Sequence, residues 1–125
     1  RQMCIRDSHR FCCMLLNEGS LDGITILSPS SVQQMLSNQN QPPLSTRGLG
    51  WDFKDVVSGY WSCGFLFPPG AVGHTGFTGT SIWFDPLNQW IAVVLTNRVH
   101  LSRDGNLAAM HQFRPRLHNL LLSMV

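Results

Sequence analysis

The stretch His74-Thr75-Gly76-Phe77-Thr78-Gly79, with Gly73 before it, gathers residue types that chemistry at a carbonyl group can use. A glycine carries no Cβ, so at 76 and 79 the main chain can lie close against a substrate. N–H groups held there at fixed positions are what an oxyanion in acyl transfer needs. His74 adds an imidazole whose reference pKa of about 6.5 leaves it mostly neutral near pH 7. The plainer reading of the same residues is a tight turn into a hairpin, with His74 on the surface beside it.

Other constellations are weaker. Of the five histidines, His111 and His118 stand seven apart and His100 lies in the preceding loop, a pattern better read as solvated or capping histidines than as metal ligands. His9 lies near Cys12 and Cys13, but no zinc spacing follows, and the thiols fit as small hydrophobes. The four cysteines are poorly spaced for a disulfide framework, because Cys12 and Cys13 are adjacent on an expected helix while Cys4 and Cys63 stand apart. Neither a metal nor a cofactor is expected.

The balance of the chain narrows its partners. Of 125 residues 43% are hydrophobic, enough for one core, and the net charge is only +2 with no basic run to track phosphates. No nucleic-acid partner is expected. The apolar runs Trp90–Leu95 and Leu120–Val125 are far shorter than the roughly 20 residues of a membrane span. Arg1 to Asp7 carries no apolar core of a signal peptide, and residues 1–8 are read as a non-native or disordered leader. The compartment stays open between bacterial periplasm, secretion and cytoplasm, as does the oligomeric state.

The elements that must position His74 to Gly79 follow from periodicity and punctuation. Phe11, Cys12, Met14, Leu15 and Leu16 predict a helix over about 9–17, stopped near Gly19. Ser28-Pro29 caps a second helix over about 29–37. A polar loop holding Pro42-Pro43 leads to a strand over 49–53. Between Lys54 and Gly70 a long aperiodic loop offers Trp61, Phe65 and Phe67 as wall residues. Strands over 79–84 and 90–96, joined by Asp85-Pro86-Leu87-Asn88-Gln89, predict a β-hairpin. Both parities of the second strand are apolar, so helices are expected on both faces of the sheet. After a polar loop, Leu107, Met110, Phe113, Leu117, Leu120, Leu121 and Met124 suggest a terminal helix face, its firm start near 113 or 114 because Pro115 interrupts it.

This order of elements resembles the closing half of the β-lactamase-related serine hydrolases, which include class C β-lactamases, DD-peptidases and esterases. The residues that carry the resemblance are Phe11, Met14-Leu15-Leu16, Gly19, Leu27-Ser28-Pro29, Val32, Met35, Gly48-Leu49-Gly50-Trp51, Gly73 to Thr80, Asp85-Pro86 and Leu95-Thr96-Asn97-Arg98. It covers roughly residues 9 to 124.

The resemblance implies an α/β (α+β) fold: an antiparallel sheet of 49–53, 71–77, 79–84 and 90–96 with flanking helices, the C-terminal part of a β-lactamase/transpeptidase-like domain spanning 9–125. It also implies that His74-Thr75-Gly76 is the third active-site motif, usually Lys-Thr-Gly, with Phe77 giving a backbone N–H to the oxyanion. Thr80, Trp61, Arg98 and Arg103 are the expected substrate-binding residues. Histidine in place of lysine weakens recognition of a substrate carboxylate, so an ester or amide substrate is favoured over a penicillin.

The family's Ser-x-x-Lys nucleophile motif is missing from these residues: the only lysine is Lys54, and Trp51 stands three before it. The Tyr-x-Asn type of motif is missing too, since Tyr60 is followed by Trp61 and Ser62. By itself the chain is expected to be inactive, the loss of nucleophile and base removing most of the catalysis of such a unit. Two rivals stand beside this reading, a pseudoenzyme or binding module on the same scaffold and a self-contained structural domain whose resemblance is incidental.

Overall fold

A computed structural model describes residues 4–40, 47–54, 61–100, 102–104 and 107–124. Pro42-Pro43 and Tyr60 lie outside the described residues.

The first helix, α1, spans Ile5–Leu16 and buries Ser8, Cys12, Met14 and Leu15. It begins four residues before the apolar signal does, so residues 5–8, which the sequence placed in a leader, are its first turn. Ser8 explains the difference: its side chain is buried and its hydroxyl donates to the Cys4 carbonyl at 3.0 Å, so a polar residue holds a core-facing position. Gly19 ends the helix as expected, at φ +94°, with its N–H on the Met14 carbonyl at 2.8 Å.

A small hairpin follows, β1 (Ser20–Leu21) and β2 (Ile24–Thr25), turned through Asp22 and Gly23 at φ +51° and +79°. The second helix, α2, spans Pro29–Met35; the Ser28 hydroxyl caps it by accepting from the Ser31 N–H at 3.1 Å.

The main sheet is antiparallel throughout, in the order β3 (Asp52–Phe53), β4 (Val72–Thr75), β5 (Ser81–Asp85) and β6 (Trp90–Val94). The hairpin of β5 and β6 stands where the sequence puts it, its turn closed by Asp85, which accepts from the Leu87 N–H at 2.9 Å. The first strand is shorter than 49–53, because Gly50 takes φ +82° and the chain folds back so that the Gly48 N–H reaches the Trp51 carbonyl at 2.9 Å.

Alternation along the strands splits the core between the two faces. Val72, Ile82 and Phe84 pack with Trp51, with Cys12, Met14 and Leu15 of α1, and with Val32 of α2. On the opposite face Trp83 packs with Cys63, Phe67 and Ala71, joined by Trp61, Ala92 and Leu122. Every residue of β5 is buried, so this strand is the centre of the fold.

The last helix, α3, spans Leu107–Leu122 and carries Pro115 in its interior. It therefore starts well before 113. A proline within a helix costs about 3 kcal/mol, but Met110, Arg114 and His118, spaced by four across it, are all buried. The buried face runs through the break and offsets it. The apolar stripe expected to face inward is instead largely outside: Leu107, Phe113, Leu120, Leu121 and Met124 are exposed.

Candidate functional site

Strand β3 pairs with β4 only at Asp52↔Gly73 and Phe53↔Val72, and then the chain leads away. From His74 onward the outer edge of β4 has no strand beside it among the described residues. The pairing on the inner side sets which groups face that edge. Thr75 lies opposite Ser81, and the Gly76 N–H bonds the Thr80 carbonyl at 2.8 Å. In an antiparallel ladder this makes Thr75 and Ser81 a non-hydrogen-bonded pair, so the N–H and C=O of Thr75 point outward to the open edge.

A turn follows, closed by the Gly79 N–H on the Gly76 carbonyl at 3.1 Å. Phe77 is its second residue, and the Phe77 N–H has no hydrogen-bond partner among the described residues. Two glycines are required here by contact. A Cβ at Gly76 would collide with the Thr80 hydroxyl, and one at Gly79, held at φ +101°, would collide with that of Thr96.

The same edge borders a cavity of about 610 Å³, between the sheet and α1. His74, Gly76 and Thr80 line it with Ile82, Phe11 and Trp51, and Asp7, Ser8, Met35, Leu49, Gly50 and Ser81 complete the wall. Phe11 and Trp51 stack with ring centroids 6.1 Å apart. The wall is apolar apart from the His74 and Thr80 side and the start of α1. Alternation sends the His74 side chain to this face and that of Thr75 to the α3 face, so only the backbone of Thr75 reaches the open edge.

Beside the turn, Arg98 and Arg103 gather on Phe77. The Arg98 guanidinium lies 4.3 Å from the Phe77 ring centre and that of Arg103 at 5.7 Å. Arg98 also donates to the Phe77 carbonyl at 2.5 Å, and its own N–H meets the Thr78 carbonyl at 2.9 Å. Trp61 does not join this group. It belongs to the cluster on the other face, with the Lys54 ammonium 5.1 Å from its ring centre and Phe65 edge-on. Phe67 is likewise core, against Trp83 and His118.

Lys54 is no free base. It is buried, donates to the carbonyls of Phe65 and Phe67, and its pKa is pushed down, chiefly by burial.

Behind the turn stands a group that the sequence reading missed. Arg114 of α3 donates to the Gly76 carbonyl at 2.8 Å and the Thr80 carbonyl at 3.1 Å. One helical turn on, His118 is fully buried with Nε2 at 3.1 Å from the Ser81 hydroxyl. Burial, and then the neighbouring Arg114 charge, push its pKa down to about 4. The signal was present as the spacing of four from Met110 through Arg114 to His118, masked by two polar residue types.

His111, by contrast, is exposed, and no three histidine, cysteine or acidic side chains cluster as metal ligands among the described residues. The four cysteines are free thiols. No helix is long and apolar enough to cross a membrane among the described residues.

A family model described as Beta-lactamase matches residues 2–114. Proteins named "Putative D-alanyl-D-alanine carboxypeptidase" from Salmonella paratyphi B (strain ATCC BAA-1250 / SPB7) and Salmonella newport (strain SL254) are each 34% identical to the chain over 87 residues. The match covers 70% of this chain and 20% of each of those proteins, so the chain spans about a fifth of the length of the curated relatives it matches.

Proposed function

Because the chain belongs to the beta-lactamase family and has that family's serine-hydrolase-like scaffold, we propose that it forms one wall of an acyl-transfer site acting on small-molecule esters or amides. In this reading His74, Thr75, Gly76 and Phe77 are the reacting edge, and the nucleophilic serine comes from residues other than these 125. The serine attacks the carbonyl carbon as a base, also from outside these residues, takes its proton; the carbonyl oxygen becomes an oxyanion held by the Phe77 N–H, and collapse expels the leaving group, which receives that proton, to give an acyl-enzyme. Water then releases the acid.

The observation that carries the proposal is the edge of β4, open among the described residues: outward-facing Thr75 backbone groups and a Phe77 N–H with no partner among those residues, next to Gly76, which lines a cavity of about 610 Å³. Thr80 and His74 flank the approach from the cavity side. Arg98 and Arg103 stand over the ring of Phe77, the residue that presents the donor, and are the candidate contacts for the far end of the substrate. Trp61 packs, partly buried, on the opposite face of the sheet. His74 can donate a hydrogen bond where the family usually has lysine, which favours esters over penicillins.

Phe77→Pro is the decisive variant. Proline suits the second position of a turn and removes the N–H. Loss of one oxyanion donor lowers kcat by about 10²–10³, so ester hydrolysis by the complete gene product is expected to fall by that factor. Phe77→Leu, which keeps the N–H, is expected to stay near the parent rate. The 125-residue chain alone is expected to show no turnover, its one lysine being locked onto carbonyls. Unchanged ester turnover in Phe77→Pro would overturn the proposal, and penicillin hydrolysed clearly faster than ester would overturn the substrate preference.

A further inference from the structure

Gly76 opens the turn that presents Phe77 and Thr80 directly follows it, and their carbonyls each accept two hydrogen bonds. The Gly76 oxygen takes the Gly79 N–H at 3.1 Å and Arg114 at 2.8 Å. That of Thr80 takes the Gly76 N–H at 2.8 Å and Arg114 at 3.1 Å. One nitrogen of a buried guanidinium thus ties both ends of the turn to α3. Helix α3 is itself fixed one turn on, where His118 meets the Ser81 hydroxyl.

The Gly76 carbonyl and the Phe77 N–H belong to the same peptide group. A trans peptide is planar, with its C=O and N–H pointing in opposite directions. Drawing the carbonyl oxygen toward α3 therefore aims the N–H away from α3. The cation also polarises the peptide, and hydrogen bonds in a chain strengthen one another by perhaps 10–30%.

We infer that Arg114 is a positioning residue for the oxyanion donor: it orients and polarises the Gly76–Phe77 peptide from behind and never touches substrate. The inference rests on the reading of Phe77 as that donor. Arginine suits the task, since a single NH2 of its guanidinium carries two N–H groups, one for each carbonyl, and the group keeps its charge when buried. A lysine there has the charge without that planar NH2 group. A methionine has neither, at similar length.

Two measurements test this. In amide NMR spectra of the 125-residue chain, Arg114→Met is expected to move the Phe77 resonance and to speed hydrogen exchange at Gly76 and Gly79 by about tenfold. Arg114→Lys is expected to fall between, and carries the test if the methionine variant does not fold. Amides of β5 and β6 report that the sheet is intact. In the complete gene product, Arg114→Met is expected to lower kcat for an ester by on the order of 10- to 100-fold, the cost of misplacing a reacting group by about an ångström, with KM nearly unchanged.

A folded Arg114→Met chain with an unmoved Phe77 resonance overturns the inference. So does an unchanged kcat in Arg114→Met where Phe77→Pro is inactive, and that outcome leaves the donor reading standing. If Phe77→Pro retains full turnover, the donor reading falls and takes this inference with it.

Discussion

Acidification should weaken this fold through one residue. His118 is fully buried, bonds Ser81 through Nε2, and has its pKa pushed from 6.5 down to about 4 by burial and by Arg114. The unfolded chain takes up a proton there below about pH 6.5, the folded one only below about pH 4. Within that window the unfolded state holds more protons, so stability falls as pH falls. The contribution is whole above 6.5 and gone below 4. At about 1.36 kcal/mol per pKa unit it amounts to roughly 3 kcal/mol, of which about 2 kcal/mol is lost between pH 7.5 and pH 5. Urea unfolding followed by tryptophan fluorescence at those two pH values measures it. His118→Gln keeps a group that can bond Ser81 but cannot be protonated, and its stability is expected to change with pH by about 2 kcal/mol less than that of the parent. Equal pH dependence in the two proteins would refute the reasoning.

Other expected outcomes follow from packing and burial. Phe84 is fully buried with Trp51 edge-on at 5.2 Å, so Phe84→Ala is expected to cost about 3–5 kcal/mol in chemical unfolding. Gly79→Ala meets both a left-handed backbone and the Thr96 hydroxyl, and a loss of about 1–3 kcal/mol in the same assay is expected. In native chain, a thiol reagent near neutral pH is expected to label Cys4 and Cys13 readily. Cys12 and Cys63 are expected to be protected, since burial raises both thiols to about 12 and closes them off.

Elements with one strong local signal were legible in the sequence. Ser28-Pro29 fixed the start of α2 and the Asp85-Pro86 turn fixed the hairpin, because a cap and a turn are settled by neighbours. The edges of α1 and α3 were not. Ser8 and Arg114 are polar residues at core positions: Ser8 is satisfied locally by a carbonyl four residues back, which hydropathy does not register, and Arg114 by carbonyls 38 and 34 residues away, which is tertiary. Pro115 misled for the same reason: local cost was visible, and the burial that outweighs it was not. At the site, His74, Gly76 and Thr80 come together as their spacing suggests. Trp61, chosen as a large aromatic in a long loop, packs partly buried against the cluster on the other face.

The arrangement of α3 makes it an inside-out helix for anyone reading tolerance from residue type. A substitution scan of this chain would find polar replacements of Phe113 and Leu120 absorbed with little effect, both side chains being exposed. Arg114→Leu or His118→Leu, which by hydropathy look like improvements of a helix core, would take one of two hydrogen bonds from each of the carbonyls of Gly76 and Thr80, or the His118 partner from the hydroxyl of Ser81. A redesign guided by composition would polish the wrong face and loosen the turn it was meant to support.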